Sequence, residues 1–123
     1  MQVMEKDMDH WLLTVVYASP REHERSDTWH QIQNLATTII DPWLVMGDFN
    51  EITCPVEKKG GVPTDIRKCL QFNRWINDCS LMEVTTVGTK FTWRGPQWNG
   101  RDRVFKKLDR VLCNVSWRLR YHE

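Results

Sequence analysis

A carboxylate and a carboxamide stand two positions apart in Gly47-Asp48-Phe49-Asn50 of this 123-residue chain. Alternate positions running off a strand share a side, so Asp48 and Asn50 point one way while Phe49 anchors the turn in the core. Held side by side, the two polar groups can orient a water molecule or a phosphate oxygen. Gly47 lets the backbone turn sharply or approach a ligand closely. The same tetrapeptide also makes a plain turn, because Asp and Asn side chains bond their own backbone.

Such a turn needs a strand to deliver it. Trp43-Leu44-Val45-Met46 is a short apolar run that predicts a buried strand over 43–47. In α/β architectures, ligands and chemistry collect at the C-terminal ends of such strands. Upstream, Trp11-Leu12-Leu13-Thr14-Val15-Val16-Tyr17-Ala18 is apolar and β-branched, a second buried strand that Ser19-Pro20 stops. Between them, Trp29, Ile32, Leu35, Ala36 and Ile39 recur at spacings of three and four. That pattern predicts an amphipathic helix within 21–40, with Glu22, Glu24 and Asp27 near its start and Asp41-Pro42 as its end. Strand, helix and strand in this order predict an α/β layer.

The remainder is less regular. Residues 1–10 are polar and unpatterned and are expected to be an N-terminal tail, leaving 11–123 as the domain. Residues 51–64 form a long loop with Pro55, Pro63 and the run Glu57-Lys58-Lys59-Gly60-Gly61. Thr64 or Asp65 can cap a second helix over 65–79, with Ile66, Leu70, Ile76 and Cys79 on one face. Short strands are predicted over 81–84 and 89–94, then a turn region with Gly95-Pro96 and Asn99-Gly100, then a strand-like stretch over 104–115.

Composition is that of an ordinary globular domain, with 41% hydrophobic and 27% charged residues. The net charge of +1 selects no partner, but its distribution is uneven. Residues 101–123 carry seven Lys/Arg against three Asp/Glu, a basic end that suits a polyanion or forms a solvated face. Cys54, Cys69, Cys79 and Cys113 show no CxxC spacing, which argues against zinc, and Cys69 and Cys79 read as core thiols. No signal peptide or membrane span is legible, so the expected location is intracellular, with the nucleus a candidate.

Four stretches in order carry a resemblance: Val15-Val16-Tyr17-Ala18-Ser19-Pro20, Gly47-Asp48-Phe49-Asn50, Phe91-Thr92-Trp93 and Leu108-Asp109-Arg110-Val111-Leu112. They resemble the second half of the endonuclease/exonuclease/phosphatase superfamily domain. The Glu57–Gly61 loop and Asn114-Val115-Ser116-Trp117 are most similar to the endonuclease region of plant non-LTR (LINE-type) retrotransposons. The resemblance implies a partial two-sheet α/β sandwich of the DNase I-like type. It implies a site that uses magnesium to hydrolyse phosphodiesters, with DNA as substrate and a reverse transcriptase domain as partner in the parent element.

The roles come over residue by residue. Asp48 matches the aspartate that orients or deprotonates the attacking water, and Asn50 the amide that holds a phosphate oxygen. Tyr17 matches a strand-end tyrosine facing the scissile phosphate, and Asp109 the aspartate that orients the catalytic histidine. Thr92 and Trp93 match the DNA-binding edge, although Trp93 also suits the core. Lys106, Lys107 and Arg110 are cations for phosphate or for a solvated face.

The departures are as informative. The family places an Asn and a metal-binding Glu in strands before the tyrosine strand; neither motif is legible here, and Glu5 is not expected in a strand. The closing Ser-Asp-His motif is also missing, and His122 lacks its preceding aspartate. The expectation is therefore a fragment, ancestrally a DNA endonuclease and inactive alone. A non-catalytic remnant that binds nucleic acid weakly, and a phosphatase-type member of the same fold, are the competing readings.

Overall fold

The computed structural model describes residues 2–6, 10–84, 90–96 and 103–121. Two apolar strands, β2 (Trp11–Tyr17) and β3 (Trp43–Asp48), run parallel, joined by helix α1 (Glu22–Ala36). A parallel pair needs such a crossover, because its strand ends lie at opposite edges. β1 (Gln2–Lys6) pairs antiparallel with the outer side of β2. On the other side of β3 lies β8 (Asp109–Cys113), antiparallel, and then β5 (Met82–Glu83), giving the order β1-β2-β3-β8-β5. A second, antiparallel sheet has the order β4-β7-β6, from Lys58–Lys59, Phe105–Lys106 and Trp93–Arg94. Helices α2 (Ile66–Asp78) and α3 (Val115–Arg120) complete an α/β fold.

One face of the large sheet is the core. Val16, Val45 and Leu112 meet Trp29 and Ile32 of α1 and Phe72 and Ile76 of α2, all buried. Thr14 is buried on this face, and its hydroxyl accepts the Trp43 indole N–H at 2.9 Å, as an interior hydroxyl requires. Register puts Leu13, Val15, Met46 and Val111 on the opposite face, where they are only half-buried. Asn114 stitches the end of β8 to the start of β3. Its Oδ1 accepts both the Trp43 and Trp117 N–H groups at 3.0 Å, and its Nδ2 donates to the Asp41 carbonyl at 2.9 Å.

Several expectations need correction. Residues 2–6 are not tail but edge strand, and Glu5 lies within it opposite Leu12. The unpaired edge of β2 supplies their hydrogen-bond partners whatever their own pattern. α1 ends at Ala36 rather than near residue 40, with Thr37 and Thr38 hydroxyls donating back to the Asn34 and Leu35 carbonyls. α2 is capped by Asp65, whose side chain accepts the Arg67 N–H at 3.0 Å. Its inner face is Cys69, Phe72 and Ile76, whereas Ile66 and Leu70 are 51% and 62% exposed. Phe72, which packs on Trp29 and Phe49, sets that rotation.

The expected loop over 51–64 is partly regular. A 3-10 turn at Pro55–Glu57 leads into β4, and the Glu57 carboxylate gathers the Thr53 N–H and hydroxyl at 2.7 and 2.9 Å. Gly60, at φ 83°, passes so close to the segment leading into β7 that a Cβ would lie 2.7 Å from the Arg103 carbonyl oxygen. The strand-like stretch 104–115 is two strands in different sheets, β7 and β8, with the switch at Lys107-Leu108. Of the strand expected over 89–94, only Trp93–Arg94 is strand, and Thr89 lies outside the described residues, as do Asn99-Gly100 and His122.

Candidate functional site

Tyr17, Asp48 and Asp109 occupy one row across three neighbouring strands. Tyr17 is the register partner of Asp48 on β2 and β3, and Asp48 is the partner of Asp109 on β3 and β8. Directly paired positions share a face, so the three side chains stand side by side. The row is possible because Gly47 precedes it. At φ 137° Gly47 lies so close to β2 that a Cβ would sit 2.0 Å from the Val16 carbonyl oxygen. Phe49, fully buried and stacked on Trp29 at 5.7 Å, pins the other end of the turn.

Asn50 closes the turn in the left-handed region at φ 51°, which Asn tolerates well. Its backbone N–H donates to Asp48 Oδ1 at 2.9 Å. Its Nδ2 donates to the Ala18 carbonyl, tying the turn to the end of β2. The turn that the sequence offered as plain structure is therefore present, and it also sets the carboxylate. Burial pushes the Asp48 carboxyl above its ordinary value of 3.8; the Asn50 amide pulls it back, and the Asp109 charge adds to the rise.

Tyr17 is 83% exposed at the end of β2, an open phenol rather than a packed one. Asp109 is exposed, and among the described residues no histidine partners it. Neither Arg110 nor Lys107 pairs with it, because both turn to other acids. Thr92 is not a free edge residue. Its Oγ1 accepts the Leu108 and Asp109 N–H groups at 2.9 and 3.0 Å and so fixes the backbone where the chain changes sheets. Trp93 is surface, not core, at 39% exposed, with Lys106 Nζ 5.6 Å from its ring centroid.

Arg110 corrects the reading of the basic end. Its side chain is completely buried. It is bonded to both Glu57 oxygens, with the NH1–Oε2 distance 3.0 Å, and to Glu83 at 3.0 Å, and it lies over the Phe72 ring at 5.2 Å. A guanidinium held this way cannot meet a DNA phosphate. Burial alone would raise the Glu57 carboxyl, but the bonds from Arg110 and Thr53 outweigh it and hold the group below its usual value. Lys107 Nζ is engaged by Glu83 at 3.0 Å.

Of the residues behind Asn50, sequence reasoning named only Lys106, as a cation for phosphate or for a solvated face. A cavity of about 260 Å³ opens there, lined among others by Arg25, Asn50, Glu51, Lys58, Lys68 and Lys106. Arg25 is buried, donates to the Ser19 and Pro20 carbonyls at 3.3 and 2.7 Å, and pairs with Glu51 at 3.1 Å. It thereby clamps the loop after β2 to the segment after the Asp48 turn. Beyond Lys106, the lysines of the Glu57–Gly61 run were the available signal.

Among the described residues no three His, Cys, Asp or Glu side chains gather into a metal-sized cluster, and no helix is long and apolar enough to cross a membrane. The chain matches no protein-family model and no curated protein.

Proposed function

We propose that the chain carries the water-positioning part of a metal-dependent phosphodiesterase site of the DNase I-like kind. In this reading it descends from the DNA endonuclease of a non-LTR retrotransposon, works beside a reverse transcriptase domain in the parent element, and alone engages DNA without cutting it appreciably. The observation that supports this is the row Tyr17, Asp48, Asp109, with Asn50 bonded to its central member.

Each group suits a need of phosphodiester hydrolysis. Asp48 has one oxygen held by the Asn50 N–H and the other left for a water, and its raised carboxyl makes it a better base than an ordinary aspartate. Asn50 keeps one Nδ2 hydrogen beyond its bond to Ala18, and Tyr17 offers a solvent-facing hydroxyl; both can donate to non-bridging phosphate oxygens. Asp109, exposed at the end of the row, can set the tautomer of an imidazole brought beside it.

Magnesium fits the Asp48 and Asp109 carboxylates in one respect: a hard cation takes one or two carboxylates and completes its shell with water and substrate phosphate. Bound there, it supplies charge relief on the phosphate oxygens. Two carboxylates alone form no cage, so cation and phosphate bind together or weakly. Among the described residues none takes the role of the family's metal-binding Glu or catalytic histidine, and a catalytic unit without such members loses most of its rate, hence the low activity proposed.

The test is duplex-DNA binding, followed by fluorescence anisotropy with and without magnesium. Magnesium tightens binding by the wild type and has no such effect on Asp48→Ala. A second reading, a non-catalytic binder using the basic end, draws on Arg118 and Arg120, exposed in the last turn of α3. It predicts binding that is salt-sensitive, indifferent to magnesium and unchanged by Asp48→Ala, and that result would overturn the first reading.

A further inference from the structure

Lys58 and Lys106 stand directly opposite each other on β4 and β7 of the small sheet. Like charges in paired positions repel. Among the described residues neither makes a salt bridge, and the one carboxylate whose charge reaches Lys106 is Glu51, which is already bonded to Arg25. Lys58 Nζ donates one hydrogen to the Val62 carbonyl at 2.6 Å, and Lys106 Nζ lies over Trp93. Both line the cavity behind Asn50.

The acids of that cavity are already committed. Glu51 is bonded to Arg25 at 3.1 Å, and Asp65 accepts the Arg67 N–H and faces its guanidinium at 3.6 Å. Among the described residues Lys68 pairs only with Glu22, at 4.0 Å. Four cations and two acids line the space, an excess of two positive charges. Arg25 has a side chain only 5% exposed, and its Nε bonds nothing among the described residues. Burial holds the Lys106 amine below its usual value, and the Lys58 charge lowers it further, with Glu51 opposing in part. The volume of about 260 Å³ admits a small anion with several waters, at about 30 Å³ per water.

We infer that this cavity is a phosphate-binding site, with Lys58 and Lys106 as its principal ligands and Asn50 at its border with the Asp48 row. The source of the phosphate that fits best is a nucleic-acid strand. Trp93 is the register partner of Lys106 on the far side, so the row Lys58, Lys106, Trp93 offers two cations and then an exposed indole. Cation and aromatic alternation is how backbone and base are held together. For that source the inference rests on the nucleic-acid reading above; the binding of phosphate itself does not.

The experiment titrates inorganic phosphate, and separately a short DNA oligonucleotide, into the chain by calorimetry in EDTA. Lys106→Gln is compared with Lys59→Gln, an exposed neighbour outside the cavity. Phosphate binding saturates in the wild type, weakens about tenfold in Lys106→Gln and is unchanged in Lys59→Gln. Lys106→Arg restores it, which separates lost charge from lost folding. DNA affinity in Lys106→Gln falls as well, and its salt slope drops by about one. Phosphate binding that depends on Lys106 while DNA binding does not supports the site and assigns it to a free phosphate or small phosphorylated ligand. Unsaturable phosphate binding, or equal effects of Lys106→Gln and Lys59→Gln, overturns the site. The phosphate titration is read in EDTA and requires neither magnesium nor hydrolysis, so the site survives failure of the hydrolytic reading.

Discussion

Asp48 and Asp109 face each other across β3 and β8, two carboxylates in directly paired positions on the same side of the sheet. Opposed like charges cost stability, and the sheet tolerates them at the end of the row that Tyr17 begins. The cost is visible at Asp48, whose carboxyl is raised by burial and then by Asp109. A raised carboxyl binds its proton more tightly in the fold than in the unfolded chain. The penalty is therefore absent below the ordinary value of 3.8 and grows as pH rises through the folded value. Asp109→Asn should lower the Asp48 carboxyl and stabilise the chain above that window. Carbon-detected NMR titration of Asp48, with melts at neutral pH, checks both; an unmoved Asp48 rules out the coupling.

Gly47 has no acceptable replacement. Alanine there would bring Cβ to 2.0 Å from the Val16 carbonyl oxygen and keep φ at 137°. Both strands are central to the sheet, so neither can withdraw. Gly47→Ala should cost about 3 kcal/mol or more, the scale of a forced backbone outlier plus a clash. Urea unfolding measures it; a cost below about 1 kcal/mol would contradict the geometry, since at an unstrained position Gly-to-Ala stabilises by about 0.4–1 kcal/mol.

Arg110 and Glu57 form a buried pair across 53 positions of sequence, and their two single variants should behave alike. Breaking either partner costs about 3–5 kcal/mol, because the other charge stays buried without compensation. Glu83 is 36% exposed and replaces Glu57 only in part. Because the folded Glu57 carboxyl is depressed, its contribution is complete above the ordinary value of 4.5 and is lost as pH falls through the folded value. Arg110→Met should flatten that acid limb, and Arg110→Met with Glu57→Met should recover most of the stability. A double-mutant cycle with no coupling would refute the pairing.

How much of this was legible follows from which forces are local. β2, α1 and β3 have apolar periods that their own residues carry, and the Asp48 turn announces itself with Gly47 and Asn50. Arg110 looked like a surface cation because its acid partners, Glu57 and Glu83, lie far away in sequence. Thr92 could not be read as a clamp on Asp109, since only the change of sheet at Lys107-Leu108 creates that need. β1 shows no pattern because a neighbour's edge, not its own sequence, makes it a strand. The Lys58–Lys106 opposition likewise exists only in register.

The four cysteines should separate cleanly by reactivity. Cys69, Cys79 and Cys113 are buried, and Cys54 is partly open. Burial, with a smaller contribution from Asp78, pushes the Cys79 thiol up to about 11, so its thiolate is scarce at neutral pH. A thiol reagent at neutral pH should label Cys54 first and the other three only on unfolding. Mass mapping after a short pulse decides it, and early labelling of Cys79 would show that α2 opens locally.

Phe49 ties the core to the site, so its loss should damage both. It stacks on Trp29 at 5.7 Å and meets Phe72 at 6.0 Å, while its neighbours Asp48 and Asn50 form the turn. Its own N–H donates to the Leu108 carbonyl at 2.9 Å, beside the start of β8. Phe49→Ala leaves a cavity beside two large rings and should cost about 3–5 kcal/mol. Near-ultraviolet circular dichroism should lose intensity, because Trp29 also stacks on Trp75 at 5.9 Å and the cluster shares its packing. Phe49→Leu refills part of the space and should retain a cooperative melt with a lower midpoint. If Phe49→Ala melts like the wild type while magnesium-dependent DNA binding is lost, the ring serves the site alone and the link between core and turn is wrong.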